Sequence, residues 1–281
     1  MTQISLLQDK YIKVGSINTR YWDAGNHQGN SLILLHGGGS VLEVWAYNIP
    51  VLAQHHRVYA FDMVGTGLSD KPIVAYSLDY QVQFLKDFLQ ALNIPRATLI
   101  GNSMGGSVAL KLALDSPERV EKIVLVSSLG LGREITLYHR FLSTFPVFVR
   151  MARPSRKGAQ LLYRNIVYDS KTIPKELIEM CYQRFNIPSR KQALISLLRT
   201  NINFWGVRPE LFDPIVTKLG GIQVPTLIIW GKKDPVLPVA HAYIAAKKIP
   251  NSRLHIFDKC GHWPQFEHPQ KFNQLVLEFL Q

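Results

Sequence analysis

Three side chains in this sequence have the types and the order that nucleophilic catalysis needs: a serine, an aspartate and a histidine. Ser103 lies between glycines in GNSMGG, after an apolar run and before a helical pattern. Asp234 follows the strand-like run TLIIW, and His262 follows RLHIF. A serine hydroxyl is a weak nucleophile at neutral pH and needs a base that a third group orients. The chain order predicts that His262 is this base and that Asp234 orients it.

The serine motif is short, and it has a second interpretation. A G-x-S-x-G pattern occurs by chance in roughly one chain in ten of this length. Its position at a strand-to-helix turn favours a nucleophile, because such a turn presents the hydroxyl at a helix N-terminus. A tight turn that serves only helix–strand packing is the alternative. Asp213 and Asp258 are alternative candidates for the acid, and His268 is an alternative candidate for the base. They lie inside or beside predicted elements and fit these roles less well.

Two glycine-rich loops are candidates for backbone roles. The loop His36-Gly37-Gly38-Gly39 follows the apolar run SLILL. We predict that the amides of Gly38 and Met104 form an oxyanion hole, with Gly37 as the second choice for the loop donor and a simple flexible turn as the alternative. The other loop, DMVGTGLSD, lacks the phosphate-binding glycine pattern. It predicts a structural turn in which Asp62 accepts internal hydrogen bonds.

Strand-like and helix-like patterns alternate in the first third and the last quarter of the chain. Short runs rich in Val, Ile and Leu are typical of strands covered on both faces, so we predict an α/β fold with a mostly parallel sheet. An antiparallel hairpin over residues 11–23 precedes it. Helices are predicted over Leu78–Leu92, Ser103–Leu114, Ala240–Lys247 and Pro269–Leu280. Residues 1–128 and 220–281 form the predicted core.

Residues 129–219 interrupt this alternation and predict a helical cap. The segment has no strand-like runs and is rich in aromatic residues and arginine. Five prolines divide it into short helices: Pro146, Pro154, Pro174, Pro188 and Pro209. An insertion after a sheet strand lies over the carboxyl edge of the sheet, which is where open α/β sheets bind ligands.

Composition narrows the class of protein. The chain has 281 residues and 47% hydrophobic content, enough for one α/β domain with an insertion. No apolar run approaches the roughly 18 residues that cross a bilayer, and the N-terminus does not resemble a signal peptide. Cys181 and Cys260 form no disulfide framework. We therefore expect a cytoplasmic protein with reduced thiols, no transmembrane segment, no metal and no cofactor.

The net charge of +12 is concentrated in one part of the chain. Residues 131–219 contain fifteen Lys/Arg and six Asp/Glu. These cations are scattered among apolar residues and no nucleic-acid-binding motif accompanies them, so nucleic acid is not an expected partner. A weak peripheral association of the basic cap with an anionic membrane, or an acidic small substrate, is compatible with the charge. Homo-oligomers are compatible with the sequence as well.

Taken together, the motifs resemble the α/β-hydrolase superfamily over nearly the whole chain, and within it the meta-cleavage-product hydrolases. The segments that carry the resemblance are GNSMGG, the HGGG loop, WGKKDPVLP and RLHIFDKCGHWPQFEHPQKFNQLVLEFL. The resemblance implies an eight-stranded sheet and a site lined by Asn102 and Trp263. It also implies a cap arginine that grips a substrate carboxylate. Arg184 falls where that arginine is expected, a solvated helix residue being the alternative, and Arg190 is the second candidate.

The resemblance implies a function and also shows departures. Ser40 and Val41 stand where the family usually has Pro-Gly, and Tyr47 replaces an asparagine. The implied reaction is hydrolysis of a carbon–carbon bond in a 2-hydroxy-6-oxo-dienoate-type acid or a related ketone, with water as co-substrate. Hydrolysis of small or medium acyl esters is the second hypothesis, because an ester needs no prior ketonisation. A small-molecule receptor with little turnover is the third.

Overall fold

The computed structural model describes residues 7–25 and 31–281 of the chain, and an eight-stranded sheet lies at its centre. The strands are β1 (Lys10–Val14), β2 (Ile17–Ala24), β3 (Ser31–Leu35), β4 (Arg57–Phe61), β5 (Ala97–Asn102), β6 (Val120–Val126), β7 (Ile202–Asn203), β8 (Gly206–Val207), β9 (Thr226–Gly231) and β10 (Ser252–Phe257). The large sheet has the order β1-β2-β4-β3-β5-β6-β9-β10. Only the β1–β2 and β2–β4 pairs in it are antiparallel. The predicted α/β fold with an eight-stranded, mostly parallel sheet is confirmed.

The helices lie between these strands and in the segment between β6 and β9. They are α1 (Ile49–Leu52), α2 (Leu78–Ala91), α3 (Met104–Asp115), α4 (Leu137–Thr144), α5 (Val147–Met151), α6 (Arg156–Arg164), α7 (Lys175–Phe185), α8 (Pro188–Asn201), α9 (Pro209–Val216), α10 (Ala240–Lys248), α11 (Pro264–Glu267) and α12 (Pro269–Leu280). The four helices predicted in the core are confirmed as α2, α3, α10 and α12, with ends that differ by one residue at most.

Apolar side chains cover both faces of the sheet. Every residue of β5 and β9 is buried, as expected for central strands with helices on both sides. Successive side chains of β3 alternate between the two faces. Ile33 and Leu35 belong to one hydrophobic cluster, while Leu32 and Leu34 belong to the other. The two clusters hold the sheet between two layers of helices.

Residues 129–219, called the cap segment below, leave the sheet after β6 and return to it before β9. Pro188 and Pro209 are the first residues of α8 and α9, where a missing backbone N–H costs nothing. The prediction that the segment has no strands was wrong at β7 and β8, because two-residue strands carry no alternating pattern. The division into separate core and cap domains stays a prediction. In the described ranges, no helix is both long and apolar enough to cross a membrane.

Strand β5 and helix α3 approach each other so closely that only glycine fits between them. A Cβ atom built on Gly101 would lie 2.4 Å from the carbonyl carbon of Gly105. A Cβ atom on Gly105 would lie 2.4 Å from the carbonyl oxygen of Leu35. Both distances are far below van der Waals contact, so the turn between β5 and α3 depends on these two glycines.

We predict that Gly105→Ala lowers the free energy of unfolding by about 1–3 kcal/mol, because the added methyl group forces backbone shifts in a packed core. Urea denaturation monitored by circular dichroism measures this. Gly221→Ala is the matched control, since a Cβ atom there meets nothing within 4 Å. Equal midpoints for the two variants would contradict the packing argument.

Candidate active site

Ser103 occupies the turn between β5 and α3 in a backbone conformation that side chains rarely adopt. Its φ and ψ are 53° and −117°. Such a conformation costs on the order of 1–3 kcal/mol and persists only where the surroundings fix it. Here the Ser103 amide donates to Val126 O at 2.9 Å, and its carbonyl accepts from Leu129 N at 2.9 Å. The side chain is held at the N-terminus of α3, where it lines a cavity.

His262 and Asp234 come together at the carboxyl ends of β10 and β9. The distance from His262 Nδ1 to Asp234 Oδ2 is 2.8 Å. The other oxygen of Asp234 accepts from the amides of Val236 and Leu237 at 2.8 and 3.0 Å. These bonds fix the carboxylate, which in turn orients the imidazole. A proton on Nδ1 leaves Nε2 free to accept another, and His262 lines the same cavity as Ser103.

The rival acids and bases named from the sequence have other surroundings. Asp258 is exposed and accepts from Lys232 Nζ at 2.8 Å. His268 bonds the carbonyl of Lys259 through Nε2 at 2.8 Å and stacks on a neighbouring phenylalanine. Asp213 is an exposed residue of α9. Within residues 7–25 and 31–281, none of the three lines the cavity that holds Ser103.

The HGGG loop passes directly beside the serine turn. A Cβ atom on Gly37 would lie 3.1 Å from the Cβ of Ser103, and one on Gly38 would lie 3.8 Å from the Cβ of Met104. The loop backbone therefore lies close to the nucleophile, with little room for a side chain at Gly37. Met104 is the first residue of α3, and the first amides of a helix have no intrahelical acceptor. The geometry brings the two predicted donor positions, Gly38 and Met104, to one end of the cavity.

The cavity has a volume of about 380 Å³ and is lined mainly by apolar side chains of the cap segment. Trp263 lines it with its ring centroid 5.4 Å from that of Tyr163. Asn102 also lines it, and its Nδ2 donates to Val126 O and His262 O at 3.0 and 3.1 Å. Asn102 Oδ1 is buried without a protein partner.

Arg184 lines the cavity, but its guanidinium already holds a carboxylate. Nη1 donates to Glu43 Oε2 at 2.7 Å, and Nη2 bonds Glu43 Oε1. The same carboxylate accepts from Arg20 Nη2 at 2.8 Å, and Arg20 Nη1 donates to Asp62 Oδ2 at 3.1 Å. All four side chains are buried. The guanidinium of Arg184, which was predicted to bind a substrate carboxylate, thus already binds a carboxylate of the protein.

Asp62 anchors the DMVGTGLSD loop, as the sequence predicted. Its carboxylate accepts from the amides of Leu42 and Leu68 at 2.9 and 2.8 Å. Burial opposes ionisation, but the charges of Arg20 and His36 hold the pKa of the Asp62 carboxyl below its ordinary value. Asp62 therefore carries a negative charge that balances one of the buried arginines.

Arg190, the second candidate, is the buried cation of the cavity that has no carboxylate partner. Its Nη2 donates to Gly39 O at 3.0 Å, and its guanidinium lies 4.4 Å from the ring centroid of Phe185. Nε is buried without a partner. Among the described residues, no Asp or Glu lies within ion-pair distance of Arg190, and burial lowers its pKa. An anionic ligand group is the natural complement of such a site.

The three residues at which this sequence departs from the family pattern, Ser40, Val41 and Tyr47, have different surroundings. Ser40 and Val41 follow the HGGG loop and line the cavity. Tyr47 packs against Phe266, with ring centroids 5.1 Å apart, and its carbonyl accepts from Asn273 Nδ2. Tyr47 is absent from the cavity lining in the described part of the chain. Tyr47 therefore contributes packing, and no polar group, to the surroundings of the cavity in the described structure.

Sequence reasoning missed two elements of the site. His139 of α4 lines the cavity, and burial together with the nearby His262 lowers its pKa to about 4, so it is neutral at physiological pH. Glu43 lies in the 3₁₀ turn Leu42–Trp45 after the HGGG loop. A glutamate followed by VW in an apolar segment is the one signal that could have indicated a buried charge, and nothing in the pattern identified its partners.

The chain belongs to the α/β hydrolase fold family, whose model matches residues 30–269. A curated relative from Metapseudomonas resinovorans, 2-hydroxy-6-oxo-6-(2'-aminophenyl)hexa-2,4-dienoic acid hydrolase, is 33% identical over 97% of this chain and 90% of its own.

Two solved structures extend the comparison. A meta-cleavage product hydrolase from Pseudomonas fluorescens IP01 superimposes with a TM-score of 0.82 at 31% identity, over 96% of this chain and 97% of that one. A membrane phospholipase A gives a TM-score of 0.82 at 25% identity, over 98% and 86% of the two chains. The predicted family is confirmed, with its resemblance to the meta-cleavage-product hydrolases, and the chain is placed among hydrolases.

We predict that Glu43→Gln destabilises the fold by about 3–5 kcal/mol, because it removes the buried carboxylate that both Arg20 and Arg184 contact. Chemical denaturation measures the change. Glu179→Gln in the cap segment is the control, since its partner Arg156 and Glu179 itself are exposed to solvent, and such pairs contribute little. A small effect of Glu43→Gln, equal to that of the control, would show that the network does not stabilise the fold.

Proposed function

We propose that this protein is a serine hydrolase in which Ser103 is the nucleophile, His262 the general base and Asp234 the group that orients the imidazole. The observation that carries the proposal is the strained Ser103 turn at a cavity that also contains the His262–Asp234 pair. His262 Nε2 takes the hydroxyl proton as Ser103 attacks a carbonyl carbon. The imidazolium then gives this proton to the leaving group, and the neutral imidazole takes a proton from the water that hydrolyses the acyl-enzyme.

We propose further that the amides of Gly38 and Met104 stabilise the oxyanion that forms in this attack. Gly38 belongs to a loop in contact with the serine turn, and Met104 begins α3. Backbone donors that are fixed before the reaction need no reorganisation when charge develops, and removing one such donor typically costs 100-fold or more. Gly37, which packs on Ser103 itself, supports the position of the loop.

For the substrate, we propose a 2-hydroxy-6-oxo-dienoate-type acid whose carbon–carbon bond is hydrolysed. The curated relative described above acts on such an acid by name, and one of the two solved structures is named a meta-cleavage product hydrolase. The cavity offers complementary groups: mainly apolar walls with Trp263 among them, and Arg190 for a carboxylate. We assign the carboxylate to Arg190 rather than Arg184, because the fork of Arg184 is engaged with Glu43.

Carbon–carbon cleavage by a serine needs a leaving group that can carry a negative charge. In our proposal the dienol first becomes a ketone, so that the carbanion released from the tetrahedral intermediate is a stabilised dienolate. His139 lines the same cavity and is neutral at physiological pH, so it adds no positive charge beside this anion. Water then hydrolyses the acyl-enzyme, and the products are a carboxylic acid and a hydroxydienoic acid.

Ester hydrolysis is the second candidate function, and one observation favours it. The predicted carboxylate-binding arginine, Arg184, is already neutralised, which leaves Arg190 as the buried cation without an acidic partner among the described residues that line this mainly apolar cavity. The similarity to a membrane phospholipase A is compatible with acyl substrates. An ester carbonyl would use Ser103, His262 and the oxyanion donors without prior ketonisation.

We also infer a cytoplasmic location. The two cysteines of the chain, Cys181 and Cys260, are buried and free. Disulfide bonds are rare in reducing compartments and common in secreted proteins. Free buried thiols support the first of these environments.

We predict that Ser103→Ala lowers turnover by on the order of a million-fold on p-nitrophenyl esters and on a dienoate acid, with little change in the thermal midpoint. Steady-state kinetics and differential scanning calorimetry check both statements. Ser107→Ala is the matched control, because Ser107 lies one turn further along α3 and bonds only the Met104 carbonyl in the described structure. Activity above one per cent of wild type would exclude Ser103 as the nucleophile.

We predict that Arg190→Gln reduces kcat/KM for a dienoate acid by roughly 10–100-fold, the loss expected for a charged hydrogen-bond partner. The rate on a neutral p-nitrophenyl ester should change little. Arg184→Gln is the control: because it disturbs Glu43 rather than the substrate, it should affect both substrates alike. A selective loss in Arg184→Gln would instead assign the carboxylate to Arg184. Turnover of esters with no activity on the dienoate would favour the second candidate function.

A further inference from the structure

One stretch of the cap segment combines positive charge with exposed apolar side chains. Residues 135–168 contain six Lys/Arg and no Asp or Glu. Of the fifteen large apolar side chains that are exposed in the described ranges, nine belong to this stretch. We call its outward side chains the basic apolar surface. Its main apolar members are Leu137, Phe141, Phe145, Phe148, Met151 and Leu161, and its cations are Arg150, Arg153, Lys157 and Arg164.

Three of the apolar members are in contact with one another. The Phe141 ring centroid lies 5.2 Å from that of Phe145 and 4.9 Å from that of Phe148. Helix α4, which carries Phe141, also packs against β7, and the β7–β8 turn presents Phe204 and Trp205 to solvent. Soluble monomers rarely expose contiguous apolar patches of this kind without a partner.

The cations of this surface have no acidic neighbours within the stretch. Arg156 is the member that pairs with an acid, Glu179 of α7, and is therefore left out of the surface. On α6, Lys157 and Arg164 flank Leu161 at helical spacing on one face. Exposed Phe, Leu and Trp beside Lys and Arg are the composition with which amphipathic helices bind anionic bilayers. A nucleic acid would match the charge, but it would leave the exposed Leu and Met side chains in water.

The cavity opens onto this surface. Phe148, Arg153 and Leu161 belong to the surface and also line the cavity that contains Ser103. We propose that the basic apolar surface docks on an anionic lipid bilayer, so that apolar substrates dissolved in the bilayer reach the cavity without crossing water. The proposal is independent of which bond Ser103 cleaves.

Binding to lipid vesicles tests the electrostatic part. The wild-type protein should sediment with vesicles of phosphatidylcholine and phosphatidylglycerol in equal parts, and far less with phosphatidylcholine alone. The triple variant Arg150→Gln, Lys157→Gln, Arg164→Gln should lower the partition coefficient by on the order of 100-fold, since each cation near an anionic surface contributes roughly fivefold. The control Lys247→Gln, Arg253→Gln, Lys259→Gln removes exposed cations outside the cap segment and should bind like wild type.

A second set of variants tests the apolar part. Leu137→Ser, Phe145→Ser and Met151→Ser together should reduce binding to anionic vesicles at least about tenfold, because each removes apolar area that would enter the bilayer. All three side chains are exposed and outside the cavity lining, so hydrolysis of a water-soluble ester should be retained. Ile73→Ser with Tyr243→Ser is the control at exposed positions elsewhere.

Three results would overturn the proposal. One is that the wild-type protein binds neither kind of vesicle, and another is that it binds both equally. The third is a lipid-free dimer in sedimentation velocity that Phe145→Ser dissociates, which would assign the surface to a second copy of this chain. Parallel loss of binding in the two surface variants, with binding retained in both controls, supports docking on the bilayer.

Discussion

The buried carboxylate of Glu43 connects three parts of the molecule that are distant in sequence. It lies just after the loop that contains Gly38, and it contacts Arg20 of β2 on one side and Arg184 of α7 on the other. In a low-dielectric interior, separating either pair would leave an uncompensated charge, which is far more costly than at the surface. The loop beside the nucleophile is therefore fixed from the sheet and from the cap segment at once. Displacement of α7 would expose or unpair this carboxylate, so the network also resists opening of the cap.

The same network determines what remains in the cavity for a ligand. Because Glu43 engages Arg184 and Asp62 engages Arg20, Arg190 is the buried cation that is left without an acidic partner among the described residues of the cavity. Arg190 bonds the carbonyl of Gly39, so a ligand anion held there would lie next to the loop that also carries Gly38. Substrate binding and oxyanion stabilisation would then share one segment of backbone. This arrangement explains how a largely apolar cavity could orient an acid without a dense set of polar groups.

The sequence was most informative where function depends on local backbone chemistry. Turns and strands impose short-range patterns on a sequence. These patterns allowed us to predict the glycine turn around Ser103, the order of Asp234 and His262, and the parallel strands. Ion pairs between residues far apart in the chain could not be predicted from the sequence. Glu43 and Arg184 are 141 positions apart, and no local pattern shows that they meet, so Arg184 was interpreted as free for substrate. The β7–β8 hairpin was not predicted for a different reason: two residues per strand are too few to show an alternation of apolar and polar side chains.

The fifteen cations of the cap segment fall into groups that a sequence count cannot separate. Arg184 and Arg190 are buried, and their charges act on Glu43 and on the cavity. Arg150, Lys157 and Arg164 are exposed in a stretch that has no acid to balance them, and their charges act outward. Selection for solubility alone would not combine such cations with exposed Phe145 and Met151, because apolar exposure works against it. An anionic bilayer is complementary to such a surface in both properties, because it has a negatively charged face and an apolar interior.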